Sequence, residues 1–323
     1  SLASGKSQTG RFLKTFLYHG FNQVDGRRVF DGMHIFVSAA GMLPIMQSAT
    51  GPESSANAGA SFDNPEYRGT NEGPFTAAEL LARVESRGET PPKMIMINSQ
   101  SDYLSLRASL SRTGAEGTTD RPIPANVRVY DIPGGSHVRV PDSRGCKLAP
   151  ANLDWTPVSR ATFLKLNEWV ANDANPPATR LMPLESATAD ASVLRAPLHL
   201  PKSVVQRPQR DAGGNSLGGV RLPDLAVPLG THAMQNQPLS RACMLLGAYV
   251  PFAKSKAERE SANDTRPSLG ELYRDRDDYV NRIRIAAREL EQAGFLLPED
   301  SAIIIQAAAS STAFGGAAGG SRQ

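Results

Sequence analysis

Apolar positions along the chain recur with two spacings, and the way they alternate predicts the architecture. After Gly5, residues Phe12, Leu13, Phe16 and Leu17 fall at i, i+1, i+4 and i+5, which predicts a helix stopped by Gly20. Residues 33–40 (M-H-I-F-V-S-A-A) form a short apolar run ended by Gly41, the pattern of a buried strand. Segment 41–75 is rich in Gly, Pro, Ser and Asn and has little periodicity, so it is expected to be a lid or binding segment inserted in the domain. A helix is predicted at about 76–87. A second buried strand follows at 93–98, led in by Pro91-Pro92, and a third lies within 126–135, closed by Gly134-Gly135. The stretch between these strands, 105–124, is polar and turn-rich. From Pro157 to Asp173 an amphipathic helix is expected to bury Phe163, Leu164, Leu166, Trp169 and Val170, with Pro176-Pro177 beyond its end. Strands alternating with helices predict an α/β fold with a mainly parallel sheet covered on both faces.

Beyond this point the pattern weakens. Residues 186–217 read as a linker of low hydrophobicity, and 219–230 (G-V-R-L-P-D-L-A-V-P-L-G) as extended chain because of its prolines. Residues 268–293 read as one helix with Val280, Ile283, Ala287 and Leu290 on a shared face and Gly294 at its end. A last short helix is expected near Pro298. From Ala307 the chain turns to Ala, Ser and Gly, a low-complexity tail over 307–323 expected to be disordered. These shifts divide the chain into 1–185, 186–306 and the tail, with no internal repeat.

Composition narrows the functional classes. The 323 residues suffice for one large domain or two modest ones. Twenty-eight Gly and 24 Pro give loops a large share of the chain. No apolar stretch approaches the ~20 residues of a spanning helix. The net charge of +3 comes from interleaved acids and bases, without the dense stripe of a nucleic-acid binder. Cys146 and Cys243 are the only cysteines and have no C-x-x-C spacing. This excludes a structural zinc site and a dense disulfide framework, and leaves one disulfide between them open.

The sharpest local feature is Gly5-Lys6-Ser7-Gln8-Thr9-Gly10 at the entry to the first helix. A serine nucleophile needs a tight strand-to-helix turn that exposes its hydroxyl, with small neighbours so that strand and helix can approach. Gly5 stands two residues before Ser7 as that geometry requires, whereas Thr9 takes the +2 place of the generic G-x-S-x-G pattern and the glycine is displaced to Gly10. The second strand ends in Asn98-Ser99-Gln100-Ser101-Asp102 and the third in Gly134-Gly135-Ser136-His137. Serine, acid and histidine, each just past a successive strand, follow the chain order of an α/β-hydrolase triad. In that reading His137 is the general base, Asp102 orients it, and the backbone N–H of Gln8 is the oxyanion donor. Of the five histidines, His19 falls on the first helix, His34 inside a strand, and His199 and His232 in the later region, so position selects His137. Asp102 could instead cap the turn that follows it, and Asp131 or Asp142 could replace it, though the first is inside a strand and the second follows the histidine. Cys146 has no helix-entry context and reads as structural, on its own or paired with Cys243.

A rival reading takes Gly5-Lys6-Ser7 as the end of a phosphate-binding loop, whose leading glycine would fall one place before Ser1. It also calls for an apolar strand ending in a magnesium-binding Asp. K-M-I-M-I-N ends in Asn98, and V-R-V-Y-D carries Arg128 within it.

With these residues placed, the sequence resembles the large α/β-hydrolase domain proteins of bacteria and fungi. The likeness runs through G-K-S-Q-T-G-R-F-L (5–13), G-F-N (20–22), V-F-D-G (29–32), Asn98 to Tyr103 and A-S-L (108–110). It continues through N-V-R-V-Y with the Gly-Gly-Ser-His turn, G-V-R-L-P-D-L-A-V-P-L (219–229), Y-V-P-F-A (249–253), A-E-R (257–259), R-P-S-L-G-E-L-Y (266–273) and L-L-P-E-D-S-A (296–302). The resemblance implies an α/β-hydrolase fold and serine chemistry on small-molecule carboxylic esters, with Ser7 as nucleophile, Asp102 as acid and His137 as base, and no metal or organic cofactor. The acid is often Glu in this group. Segment 41–75 departs most from the family pattern. Relatives carry a long portion before the nucleophile, so the chain is expected to be the C-terminal portion of a longer protein. A catalytically inactive fragment with a binding role is the non-enzymatic alternative.

Overall fold

The computed structural model describes residues 1–42, 74, 76–114, 119–142, 145–187, 205–237 and 241–314. The expected lid at 41–75 lies almost wholly outside the described residues, as do 188–204 of the expected linker and 315–323 of the expected tail. Four strands form a parallel sheet: β1 (Leu2–Lys6), β2 (Gly32–Phe36), β3 (Lys93–Ser99) and β4 (Val127–Ile132), in the order β1-β2-β3-β4. The register sets Gly5 beside Ile35, and Ile97 beside Phe36 and Tyr130. The carboxyl ends of all four strands therefore lie on one side of the sheet.

The three strands β2, β3 and β4 are largely apolar on both faces because both faces are covered, whereas β1 at the edge exposes Ser4 and Lys6. Met33, Ile35, Met94, Met96, Val127 and Val129 pack with Leu13 and Leu17 of α1 (Gln8–Tyr18) and with Leu80, Leu81 and Val84 of α2 (Ala77–Glu85). Thr76 starts α2 with a reciprocal capping box to Glu79. Their neighbours Ile95, Ile97, Tyr130 and Ile132 point the other way, against Val158, Leu166 and Trp169. Side chains as fully buried as Ile35 and Ile95 each contribute about 1.5–3 kcal/mol. A short helix, α3 (Gln100–Ser105), continues directly from β3, and Leu110–Thr113 makes a helical turn inside the stretch read as polar loop.

The second face is covered by α4 (Thr156–Asn172), one residue from its predicted bounds. Leu164, expected on its buried side, is 47% exposed. The buried face instead carries Val158, Ala161, Thr162, Leu166 and Trp169 at three- and four-residue spacings, and Leu164 projects away from it.

Later elements extend that core and build a second one around Tyr279 and Ile283. Two strands, β5 (Gly230–Ala233) and β6 (Ala248–Pro251), pair antiparallel and flank α5 (Arg241–Leu246). Residues 219–230 are not uniformly extended. Pro223 opens a helical turn over Pro223–Ala226, at the first helical position, where its missing N–H costs nothing. The single helix expected over 268–293 is two pieces: a turn at Leu269–Leu272, then α6 (Arg276–Gln292), restarted by Asp275, whose side chain accepts the Asp278 N–H at 2.8 Å. Helix α7 (Pro298–Ala309) runs three residues into the segment assigned to the tail, with Ala308 buried, and Phe314 packs on Tyr279 with ring centroids 5.2 Å apart. Val220, Leu222, Phe295 and Leu296 join the core around Tyr130 and Trp169. Cys146 and Cys243 form a disulfide, Cα–Cα 5.6 Å, which ties α5 to the chain following His137. No helix among the described residues is long and apolar enough to cross a membrane.

Candidate active site

One residue makes the turn from β1 to α1. Ser7 has φ 52° and ψ −115°, a conformation that costs a non-glycine residue about 1–3 kcal/mol and persists only when its surroundings over-determine it. They do so here. The Ser7 N–H donates to the Phe36 carbonyl at 2.9 Å; the Thr9 hydroxyl accepts the Lys6 N–H at 2.9 Å and donates to the Lys6 carbonyl at 2.8 Å. A Cβ on Gly5 would lie 2.7 Å from the Thr9 carbonyl oxygen, and one on Gly10 2.9 Å from the Gly5 carbonyl oxygen. Strand and helix thus touch at Gly5 and Gly10. Thr9 faces outward and staples the turn, which accounts for the glycine's displacement from +2 to +3.

The histidine comes from the loop after β4. His137 is 7% exposed, and its own N–H is held by Ser101 Oγ at 2.8 Å and by the Leu245 carbonyl of α5 at 3.0 Å. Trp155 Nε1 donates to the neighbouring Ser136 carbonyl at 2.9 Å. The imidazole bridges the other two residues: Nε2 lies 2.9 Å from Ser7 Oγ and Nδ1 2.7 Å from Asp102 Oδ1. Asp102 is fully buried in the first turn of α3. Its second oxygen, Oδ2, accepts the Ser99 N–H at 3.1 Å and the Ser99 hydroxyl at 2.7 Å. The capping and functional readings of Asp102 thus describe one carboxylate, each using one oxygen. With Nδ1–H donating to Asp102, Nε2 is the acceptor for the Ser7 hydroxyl.

Gln8 is the first residue of α1, so its N–H is among the N-terminal donors that have no intrahelical acceptor, beside Ser7. Lys6 is exposed, with its ammonium 5.8 Å from the Trp155 ring centroid. Lys14, buried on α1, donates to the carbonyls of Ala39 and Ala40 at 2.9 and 3.0 Å and anchors the chain after β2; burial, with Arg11 nearby, holds its pKa well below the usual range.

The remaining candidates lie elsewhere. Asp131 points into a buried network, accepting from Tyr103 Oη at 2.6 Å, Met182 N at 2.9 Å and Asn98 Nδ2 at 3.1 Å. Burial raises its pKa, against the opposing effects of Arg112 and these donors. Asp142 is exposed. His34 packs on α4, its Nε2 3.1 Å from Thr162 Oγ1, and burial lowers its pKa to about 4. His19 is exposed on the far end of α1, and His199 lies outside the described residues.

Three residues of the site escaped the sequence reading. Ser99 anchors Asp102, Ser101 anchors the His137 backbone, and Gln100 joins the Gly134 N–H, accepted at 2.6 Å, to the His232 carbonyl, to which it donates at 2.8 Å. The S-x-x-D spacing from Ser99 to Asp102 signals the first. Nothing local signals the other two, because their partners lie 34–36 and 132 residues away.

A parallel sheet covered on both faces, with a serine at a strand–helix turn and a histidine and acid past later strands, defines an α/β hydrolase. The chain belongs to the alpha/beta hydrolase domain family, whose model matches residues 1–306. No curated protein and no solved structure matches it.

Proposed function

We propose that the protein is a serine esterase that cleaves carboxylic esters of small molecules through an acyl-enzyme, with Ser7 as nucleophile, His137 as general base and acid, and Asp102 as the residue that orients the imidazole. The observation that carries this is the continuous line Ser7 Oγ–His137 Nε2 at 2.9 Å and His137 Nδ1–Asp102 Oδ1 at 2.7 Å. Ser7 gives its proton to Nε2 as it attacks the ester carbonyl, and Asp102 stabilises the imidazolium that forms. The Gln8 N–H, at the positive end of α1, faces the developing oxyanion. His137 then protonates the leaving alkoxide, activates water against the acyl-enzyme, and the acid is released. Water attack regenerates Ser7, so the cycle closes with these residues alone.

The test is labelling with a fluorophosphonate, alongside hydrolysis of p-nitrophenyl acetate. Labelling at Ser7, lost with activity in Ser7→Ala, is expected. An adduct elsewhere, or undiminished turnover in Ser7→Ala, overturns the assignment, and absence of both labelling and turnover favours a binding-only protein. The phosphate-loop reading draws no support from the turn: Gly5 and Lys6 are paired in β1 rather than looped, and the N–H groups of Lys6 and Ser7 already donate to Thr9 and Phe36.

A further inference from the structure

A cavity of about 430 Å³ lies beside the histidine loop, and Ser7, Asp102 and His137 are not among its walls. Arg139 borders it two residues beyond His137. Its other walls include Asp224 of the 223–226 turn, His232 and Tyr249 of the β5–β6 pair, Tyr279 of α6 and Asp300 of α7, whose side chains the proposed chemistry does not use. The volume is within the range of small-molecule sites.

Its polar groups are unequally matched. Both cations are paired within the lining, Arg139 with Asp154 at 3.1 Å and Arg160 with one oxygen, Oδ1, of Asp300. Asp300 is 3% exposed, yet its other oxygen, Oδ2, is buried without a hydrogen-bond partner. His232 is equally buried, and its Nδ1 is likewise unpartnered. Asp224 makes no ion pair among the described residues. The protein around it and the nearby Asp154 carboxylate raise its pKa, although its own N–H lowers it. A buried acceptor left unsatisfied is costly, so Asp300 Oδ2 points to something that supplies a donor, while His232 Nδ1 can donate or accept according to its tautomer. Leu229, Ile303 and Ile304 add an apolar wall beside the two tyrosines.

One unpartnered carboxylate oxygen on Asp300, a carboxylate at Asp224 without an ion pair among the described residues, cations already neutralised, and a wall of tyrosine and aliphatic side chains call for a ligand that brings N–H donors and positive charge on an apolar body. We propose that this cavity is a binding site for a small organic ammonium ion, a primary amine held by Asp224 and Asp300 with its hydrocarbon part against Tyr249, Tyr279 and the α7 isoleucines. Tyrosine rings near a desolvated ammonium add cation–π attraction. The site is independent of the esterase reading, since it shares no side chain with Ser7, His137 or Asp102.

Isothermal titration calorimetry of the full chain with benzylammonium chloride tests it, with benzyl alcohol and benzoate as the neutral and anionic counterparts. Saturable one-to-one binding of benzylammonium is expected, with benzyl alcohol weaker by about tenfold or more and benzoate weaker still. Asp224→Asn keeps the size of the side chain, removes its charge, and should weaken benzylammonium by about tenfold or more. Ile303→Trp, at a side chain 62% exposed, should obstruct the cavity and abolish binding. Equal affinity for the alcohol or benzoate, binding indifferent to Asp224→Asn and Ile303→Trp, or no saturable heat with benzylammonium overturns the proposal. Fluorophosphonate labelling of Ser7 is read separately, so failure of one assignment leaves the other standing.

Discussion

Replacing Asp102 by asparagine tests the proposed site most directly, because both oxygens of this fully buried carboxylate are in use. The Ser99 N–H must keep an acceptor, so in Asp102→Asn the amide oxygen stays on that side and the amide NH2 group turns toward His137 Nδ1. Nδ1 then has to accept, the imidazole proton moves to Nε2, and Nε2 can no longer take the Ser7 proton. Flipping the amide restores the tautomer but leaves the Ser99 N–H and hydroxyl facing a donor, at about 1–3 kcal/mol for a buried group left unsatisfied. Loss of the working tautomer in serine proteases reduces kcat about 10⁴-fold, equivalent to roughly 5.4 kcal/mol in the barrier. The variant should therefore lose about that factor in p-nitrophenyl acetate turnover and in fluorophosphonate labelling rate, while unfolding cooperatively. Ser99→Ala serves as the control. It removes the 2.7 Å hydrogen bond to Oδ2 and a longer one, 3.3 Å, to Ser101 Oγ, and leaves the carboxylate facing His137, so about tenfold or less is expected. Turnover of Asp102→Asn within tenfold of the parent, at unchanged stability, would refute the assignment of Asp102 as the orienting acid.

The disulfide closes a sequence separation of 97 residues, for which chain entropy gives about 4.7 kcal/mol. Cys146→Ser with Cys243→Ser should lower the denaturant midpoint and also slow turnover, because α5 carries the Leu245 carbonyl that holds His137; parent-like values of both would sink the idea. His34 and His232 are each lowered to about 4 by burial, from about 6.5 in the unfolded chain. Their contribution is complete above pH 6.5 and is lost as pH falls toward 4, about 3 kcal/mol apiece; Asp131, shifted the opposite way, offsets part of this. Urea unfolding at pH 7.5 and 4.5 checks it, and equal stability at the two would contradict neutral burial of these rings. Gly10→Ala places a Cβ 2.9 Å from the Gly5 carbonyl oxygen, so a cost of about 1–3 kcal/mol and slower labelling of Ser7 are expected; a parent-like melting point and labelling rate would count against the tight turn.

Elements whose signal is local were readable. The three apolar runs at 33–40, 93–98 and 126–135 contain β2, β3 and β4, because a parallel strand covered on both faces is apolar at most of its positions. The serine turn was marked by Gly5 and Gly10, whose missing side chains let strand and helix meet. Where reading failed, the deciding contact was distant. Leu164 lies on the wrong side of α4 by a choice of face that helical spacing alone left open, and the break before α6 depends on Asp275 supplying a new cap.

Periodicity, turn residues and chain order are properties of short segments, and they suffice for the layered α/β order and for the succession Ser7, Asp102, His137 past successive strands. They do not reach the pairing of Cys146 with Cys243, the anchoring of His137 by Ser101 and Leu245, or the gathering of Asp224, His232 and Asp300 around one cavity, all of which came from the folded chain. Each of these depends on groups tens to more than a hundred residues apart, as Asp300 is from Asp224 and Leu245 from His137. Such contacts form only when the sheet and its covering helices fix where the chain returns, and no local pattern encodes that return.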